Sequence, residues 1–220
     1  MKMKKLTILI VLLVSFSFVS KAQMNFGVKA GFNMASVSGD MEDTKFKPAY
    51  QIGAVAKMEL TDAIDFQPGI VFSSKGVKQE SSMEMMGVEA DFTQTTSLNY
   101  LELPLDFIYN ISEFQIIAGP YVGYGLGGNS ETEISAGGET QTEDADVEFV
   151  SDATDADEGN FPVKNLDYGL NVGAGYNMGG IQIQAIYGLG IANLNPPFDG
   201  EDPENSNSNS VIQLNVSYFF

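Results

Sequence analysis

Residues 25–36 read NFGVKAGFNMAS, a stretch in which apolar residues alternate with small or polar residues. One face carries Phe26, Val28, Ala30, Phe32 and Met34, and the other carries Gly27, Lys29, Gly31 and Asn33. Because successive side chains of a β-strand point to opposite sides, strict alternation predicts a strand that separates two unlike environments.

The same alternation recurs in seven further segments of the chain. They are residues 50–60, 64–73, 100–109, 114–126, 167–178, 181–191 and 212–220. Their connections alternate between tight hairpins, near residues 61–63, 111–113 and 179–180, and long loops, at about residues 37–46, 79–92, 128–163 and 193–209. Short turns on the periplasmic side and long loops on the outer side are typical of outer-membrane barrels. The pattern therefore predicts an all-β fold, an eight-stranded antiparallel up-and-down transmembrane β-barrel.

A soluble eight-stranded calyx would show the same alternation turned inside out, so the chemistry of the two faces has to separate them. The apolar face contains no charged residue, and its bulky side chains would overfill the interior of an eight-stranded barrel. The opposite face is rich in Gly, Gln and Asn and has few charges, whereas a solvated surface normally carries about 25–35% charged residues. Aromatic residues lie near both ends of the strands, as interfacial girdles do. These observations favour the membrane barrel over the calyx.

The first residues predict export. Lys2, Lys4 and Lys5 precede an apolar run at residues 6–19, and Ser20-Lys21-Ala22 places small residues at the −3 and −1 positions. A membrane-anchoring helix is the alternative, but it needs about 20 apolar residues. We expect a signal peptide at residues 1–22, cleaved after Ala22, followed by a barrel domain at residues 23–220 in the outer membrane.

Composition excludes several kinds of function. The chain contains no Cys and no His, which excludes Ser-His-Asp and Cys-His nucleophiles and zinc sites built from these residues. We therefore expect no enzymatic activity, no cofactor and no resident metal. The formal net charge of −18 repels nucleic acid, whose binding depends on basic side chains that neutralise phosphates.

A small set of charged residues falls on the inward face of the predicted strands. It consists of Lys29, Lys57, Glu59, Glu102, Asp106 and Asp167. Buried charges need partners, so these positions predict a network of lysines and carboxylates in the lumen. A selective polar path for solutes is the alternative, but eight strands leave no open channel.

The third long loop, at about residues 128–163, contains many acidic residues and no basic one. Asp152, Asp155, Asp157 and Glu158 offer oxygen ligands of the kind that Ca²⁺ prefers, and the alternative is a disordered, solvated loop. The run from Asn195 to Asn209 is likewise expected to be a mobile loop. These acidic loops suggest two kinds of ligand, a surface partner or a divalent cation.

Four motifs resemble a known family. FGVKAGFNMAS, YLELPLDFIYN, GPYVGYGLG and the aromatic carboxyl terminus are similar to the Bacteroidetes outer-membrane β-barrel family, whose members include porin-family and PorT-like small barrels. The resemblance extends over essentially the whole chain after the signal peptide. It implies an eight-stranded barrel in the outer membrane of a Gram-negative bacterium and, for most members, no defined activity.

The chain ends in a segment that resembles the signal read by the barrel-assembly machinery, with Tyr218 and Phe220 as its aromatic residues. These side chains also fit a lipid-facing strand, and the two interpretations are compatible. We expect a monomer whose partners are outer-membrane lipid and, during insertion, the assembly machinery. Two functions remain: a structural or surface-interaction role through the external loops, or a transport component for small solutes or exported cargo.

Overall fold

A computed structural model describes residues 24–41, 43–85 and 88–220, so the predicted signal peptide lies outside the described residues. In this part of the chain there are eleven strands and one short 3₁₀ helix at Ala153–Asp155. The strands are β1 (Met24–Gly39), β2 (Thr44–Lys45), β3 (Lys47–Thr61), β4 (Ile64–Met85), β5 (Val88–Ile111), β6 (Phe114–Ala136), β7 (Glu139–Val150), β8 (Phe161–Lys164), β9 (Leu166–Asn177), β10 (Ile181–Gly190) and β11 (Asn207–Phe219). Over the same residues, no helix is both long enough and apolar enough to cross a membrane.

Eight of these strands close into a ring. Each pairs antiparallel with the next in the order β1, β3, β4, β5, β6, β9, β10 and β11. The ring closes between the first and last strands, in a register that runs from Gly27 opposite Phe219 to Gly39 opposite Asn207. The prediction of an eight-stranded antiparallel barrel is confirmed. The predicted hairpins at residues 61–63, 111–113 and 179–180 also lie at one end of the ring.

The two faces of the wall have the chemistry that the alternation predicted. Outward-facing side chains such as Ile52, Phe114 and Leu214 are more than half exposed, while inward-facing Gln51 and Asn215 are buried. Large apolar side chains are exposed all around the closed barrel. Contiguous apolar patches of this size are rare on soluble proteins. This arrangement suits a barrel whose outside contacts lipid and whose inside is polar.

The end opposite the short hairpins differs from the sequence prediction. Residues 79–92 were expected to form a loop, but residues 79–85 continue β4 and residues 88–92 belong to β5, and the two strands remain paired up to Met85 opposite Val88. Residues 128–136 likewise continue β6, which pairs with β7 from Gly128 opposite Val147 to Ala136 opposite Glu139.

These extensions form a sheet that projects beyond the barrel. We call it the protruding sheet: residues 77–85 of β4, 88–98 of β5 and 128–136 of β6, together with β7 and β8. β8 is parallel to β7, and β2 pairs with β4 near its base. The acidic segment that was expected to be irregular is therefore mostly strand. The reason is that its alternating Thr, Ser and acidic residues pair with strands that already leave the barrel in register, so tertiary pairing overrides composition.

Candidate functional site

The buried charges of the barrel interior centre on Lys75 of β4. Its Nζ lies 2.7 Å from Oε2 of Glu102 and 2.9 Å from Oδ2 of Asp167, and all three side chains are almost fully buried. Asn209 donates from Nδ2 to the same Asp167 oxygen at 3.0 Å. The ammonium also lies 4.2 Å from the ring centroid of Tyr121. We call Lys75, Glu102 and Asp167 the lysine triad; one cation here bridges two carboxylates from β5 and β9.

A second pair of charges lies deeper in the barrel. Lys29 of β1 and Asp106 of β5 are both 2% exposed, and their charges interact. Asn171 of β9 donates from Nδ2 to Oδ1 of Asp106 at 3.1 Å. These two groups of buried charges each have an amide donor at a carboxylate.

The predicted lumen residues are only partly brought together. Lys29, Glu102, Asp106 and Asp167 are buried inside the barrel, as their inward phase predicts. Glu102 pairs with Lys75 and not with Lys29, since the strands place the two lysines in separate clusters.

Lys57 and Glu59 lie near the short-hairpin end of β3. Lys57 is partly buried, with its Nζ 5.5 Å from the ring centroid of Phe219. Glu59 is exposed, and its position close to the last turn of the strand puts it at the rim. The assignment of Glu59 to the buried network is therefore wrong: at a strand end the inward phase leads to solvent rather than to the lumen.

Lys75 is a buried charge that the strand pattern did not predict. The predicted strand ended at Ser73, and Lys75 is the next inward position after Gln67, Gly69, Val71 and Ser73. Extending the alternation by two residues would have placed Lys75 inside the barrel and supplied the missing cation.

On the side of the lumen opposite the lysine triad, several inward-facing side chains are uncharged amides. Nε2 of Gln51 lies 2.9 Å from Oδ1 of Asn33 and 2.8 Å from both Oε1 of Gln213 and Oδ1 of Asn215, and its two hydrogens are shared among these three acceptors. Asn33 in turn donates to the backbone oxygen of Ser74 at 3.0 Å. These bonds connect β11, β1, β3 and β4 across the interior. Hydrogen bonds satisfied in this way rigidify a buried polar core.

The barrel end that carries the protruding sheet is capped by apolar side chains. Buried Val37, Val77, Leu98, Val147, Val163 and Leu194 form one cluster with Tyr100. Phe149 of β7 packs against it, with its ring 5.2 Å from that of Tyr100 in an edge-to-face arrangement. Beside this cluster is a cavity of about 50 Å³, lined among others by Val37, Val77 and Leu98. The interior thus contains the amide network, the buried charges and, toward the protruding sheet, the apolar cap.

The acidic residues that were candidates for Ca²⁺ do not converge. Among the described residues no three Asp or Glu side chains are grouped as a metal site would require. Asp152 instead accepts hydrogen bonds from the backbone N–H groups of Thr154, Asp199 and Gly200. The Thr154 hydroxyl and these amides lower the pKa of Asp152 to about 2. Its carboxylate ties the segment after β7 to the loop between β10 and β11.

The carboxyl-terminal strand completes the wall. Tyr218 and Phe220 point outward and are 52% and 77% exposed, and the Phe220 N–H donates to the Phe26 oxygen at 3.0 Å. Both predicted assembly residues therefore lie on the outer face, at the seam where the last strand meets the first.

Comparison with known proteins fixes the family. Residues 18–195 match the family model for the outer membrane protein beta-barrel domain. The chain belongs to this family. It is an outer-membrane β-barrel protein, so the exposed apolar wall contacts lipid. In barrels of this kind the short turns face the periplasm and the opposite end faces outside. A search of curated proteins gave no match.

Solved barrels show weak likeness to this outer-membrane protein. Ail of Yersinia pestis, in a complex with the heparin analogue sucrose octasulfate, is 13% identical, with 90% of this chain and 99% of Ail covered and a TM-score of 0.38. Neisserial surface protein A is 11% identical, with 89% and 97% covered and a TM-score of 0.41. The monoaromatic hydrocarbon channel CymD is 8% identical, with 89% and 88% covered and a TM-score of 0.28.

Proposed function

We propose that this protein is a non-enzymatic outer-membrane barrel that acts by surface interaction through its protruding sheet. The observation that carries the proposal is the filled interior: the lysine triad bridges three strands with contacts of 2.7 and 2.9 Å. Solutes crossing the barrel would have to displace this network and the apolar cap above it. The absence of His and Cys from the sequence supports a non-enzymatic role.

We further propose that the protein is a Bacteroidetes barrel of the porin-family or PorT-like kind. The support is the set of four sequence motifs, which lie on β1, β5, β6 and β11. Export through a cleaved signal peptide and a monomeric state belong to the same proposal.

Single-channel recording in planar bilayers tests the functional proposal. Purified wild-type protein is expected to insert without steady ion currents. A variant in which residues 129–146 are replaced by a short turn should insert equally well and also remain silent, because the triad lies below that segment. Stable currents through the wild-type protein would contradict the proposal and favour a transport component.

A further inference from the structure

Among the residues that the structure describes, one edge of the protruding sheet carries backbone groups without a strand partner. β7 pairs with β6 along residues 139–147, whereas on its other side β8 pairs only with Val147–Val150. Residues 139–144 and 146 are exposed and Ala145 is partly buried. An open strand edge is a template on which another extended chain can be added.

The hairpin register identifies the backbone groups that face outward. Gly137 and Gly138 form a two-residue turn with φ of 61° and 87°, closed by Ala136 opposite Glu139. The closing pair of such a hairpin exchanges both backbone hydrogen bonds, and the pairs alternate from there. The N–H and C=O groups of Thr140, Thr142, Asp144 and Asp146 therefore point away from β6. The 2.9 Å contact between the hydroxyls of Ser135 and Thr140 fits the close side chains of a non-hydrogen-bonded pair.

One face of the protruding sheet carries the side chains of Thr140, Thr142, Asp144 and Asp146, the residues whose backbone groups point away from β6. This face is acidic. Asp144 lies directly opposite Glu131 on β6, and Asp146 lies opposite Asn129. Like charges directly opposite each other destabilise a strand pair. A strand added beside β7 would place its own side chains next to Asp144 and Asp146 at every second position. Basic residues at those positions would relieve the repulsion.

We propose that the open edge of β7, residues 139–146, binds an extended polypeptide segment of a partner protein by strand addition, with lysine or arginine at alternate positions. The inference rests on the proposed surface-interaction function and names its partner chemistry. A second copy of this chain is a poor occupant, because pairing two such edges would oppose acidic residues. Charge complementarity supplies the choice of partner, and the unpaired backbone groups supply the mode of binding.

The opposite edge of the sheet offers a matched control. Beyond the pairing of β4 with β2 at Gln79, no described strand lies on the other side of β4 along residues 80–85. Counting from Met85 opposite Val88 by the same alternation, the Ser82 N–H points away from β5. Proline at Ser82 and proline at Thr142 therefore each remove one edge donor without removing a bond between neighbouring strands, which edge strands tolerate.

The test uses the purified full-length protein in nanodiscs and a peptide as long as the open edge, in which lysine and valine alternate. Fluorescence anisotropy should show saturable binding that weakens as salt rises, since screening acts over about 10 Å at 0.1 M salt. Thr142→Pro should weaken binding by about tenfold, which corresponds to roughly 1.4 kcal/mol. Ser82→Pro should leave binding unchanged. A peptide with methylated backbone nitrogens should bind the wild-type protein at least as weakly as the unmodified peptide binds Thr142→Pro.

Each other outcome overturns the inference. Binding that ignores both Thr142→Pro and backbone methylation would be electrostatic adsorption, and loss of binding only in Ser82→Pro would move the site to β4. Self-association of the wild-type protein that Thr142→Pro abolishes would make a second copy the occupant. Absence of peptide binding by a barrel that carries no current refutes this inference alone, whereas steady currents refute the proposed function whatever the peptide does.

Discussion

Replacing Lys75 with methionine removes the cation that two buried carboxylates share. The substitution keeps an unbranched side chain of similar length, so the interior stays filled while the charge disappears. Glu102 and Asp167 are 2% and 0% exposed, and Asp167 would keep the hydrogen bond from Nδ2 of Asn209. The expected result is a large loss of stability without an opened channel.

The magnitude follows from the burial of the triad. Removing one partner of a buried ion pair costs about 3–5 kcal/mol, because it leaves an uncompensated charge in a poorly solvated site. The Lys75 ammonium lies 4.2 Å from the centroid of the Tyr121 ring, and loss of this cation–π interaction adds about 0.5–2 kcal/mol. Protonation of one carboxylate offsets part of this cost. We therefore expect the free energy of unfolding to fall by about 4 kcal/mol.

Urea unfolding in lipid vesicles, followed by the mobility of unheated samples on gels, measures this change. Lys78→Met is the matched control, because Lys78 is on the same strand and its Nζ lies 2.6 Å from Oε1 of Glu80. That pair is exposed, at 37% and 46%, and exposed pairs contribute about 0–1 kcal/mol. Combining Lys75→Met with Glu102→Gln and Asp167→Asn should recover most of the loss, since the triad then carries no unpaired charge.

A Lys75→Met variant no less stable than Lys78→Met would refute the reasoning. So would failure of the triple substitution to recover stability, because the cost would then come from packing and not from unpaired charge. Planar-bilayer recording of the same variants adds an independent check, with silence expected from each of them.

Three further predictions address the cap, the extracellular loops and assembly. Gly125→Ala should lower the free energy of unfolding by about 1–3 kcal/mol, because a Cβ there would lie 2.2 Å from the Phe149 ring. Gly123→Ala is the control: its Cβ would meet no atom nearer than 3.5 Å, so the free energy of unfolding should change by less than about 0.5 kcal/mol. Asp152 has a folded-state pKa of about 2, below its ordinary 3.8. The hydrogen bonds that its carboxylate accepts from the Asp199 and Gly200 N–H groups should therefore be fully formed above about pH 4 and be lost as the pH falls through about 2. Amide-exchange protection factors at those two residues would show this dependence, and Asp152→Ala should have low protection at every pH; equal protection in both proteins would refute it. Phe220→Ala should lower the amount of protein in the outer membrane and increase a protease-sensitive periplasmic form, and unchanged insertion would mean that Phe220 serves only as a lipid contact.

Strand number, strand phase and barrel closure were predictable because one physical constraint repeats eight times. A wall between lipid and a polar interior imposes a period of two, and residues 25–36 or 212–220 show that period without interruption. Glu102, Asp106 and Asp167 share this phase and are buried. Residues near a strand end, such as Glu59, escape the rule because the environment there no longer alternates.

Which buried charges pair with each other inside the barrel was not predictable. The strand phase tells whether a side chain points inward or outward, but not its position along the barrel axis. Lys29 and Glu102 share the inward face, yet Lys29 lies with Asp106 while Glu102 meets Lys75. Height depends on the register of every intervening strand pair, and no local pattern encodes it. The protruding sheet was missed for a related reason: beyond the membrane both faces are solvated, so the alternation that marks a strand is lost even though the pairing continues.

The lysine triad and the protruding sheet are physically connected. Lys75 and Glu102 belong to β4 and β5, the same strands that continue into the sheet, and β4 pairs with β3 only as far as Ser73. Tyr100, two residues before Glu102, lies 5.5 Å from the Lys75 ammonium and packs against Phe149 of β7. The triad therefore lies at the base of the sheet, where β4 leaves the barrel wall. Because the sheet beyond this point has few buried residues of its own, the closed interior supplies the rigid base from which the open edge of β7 is presented.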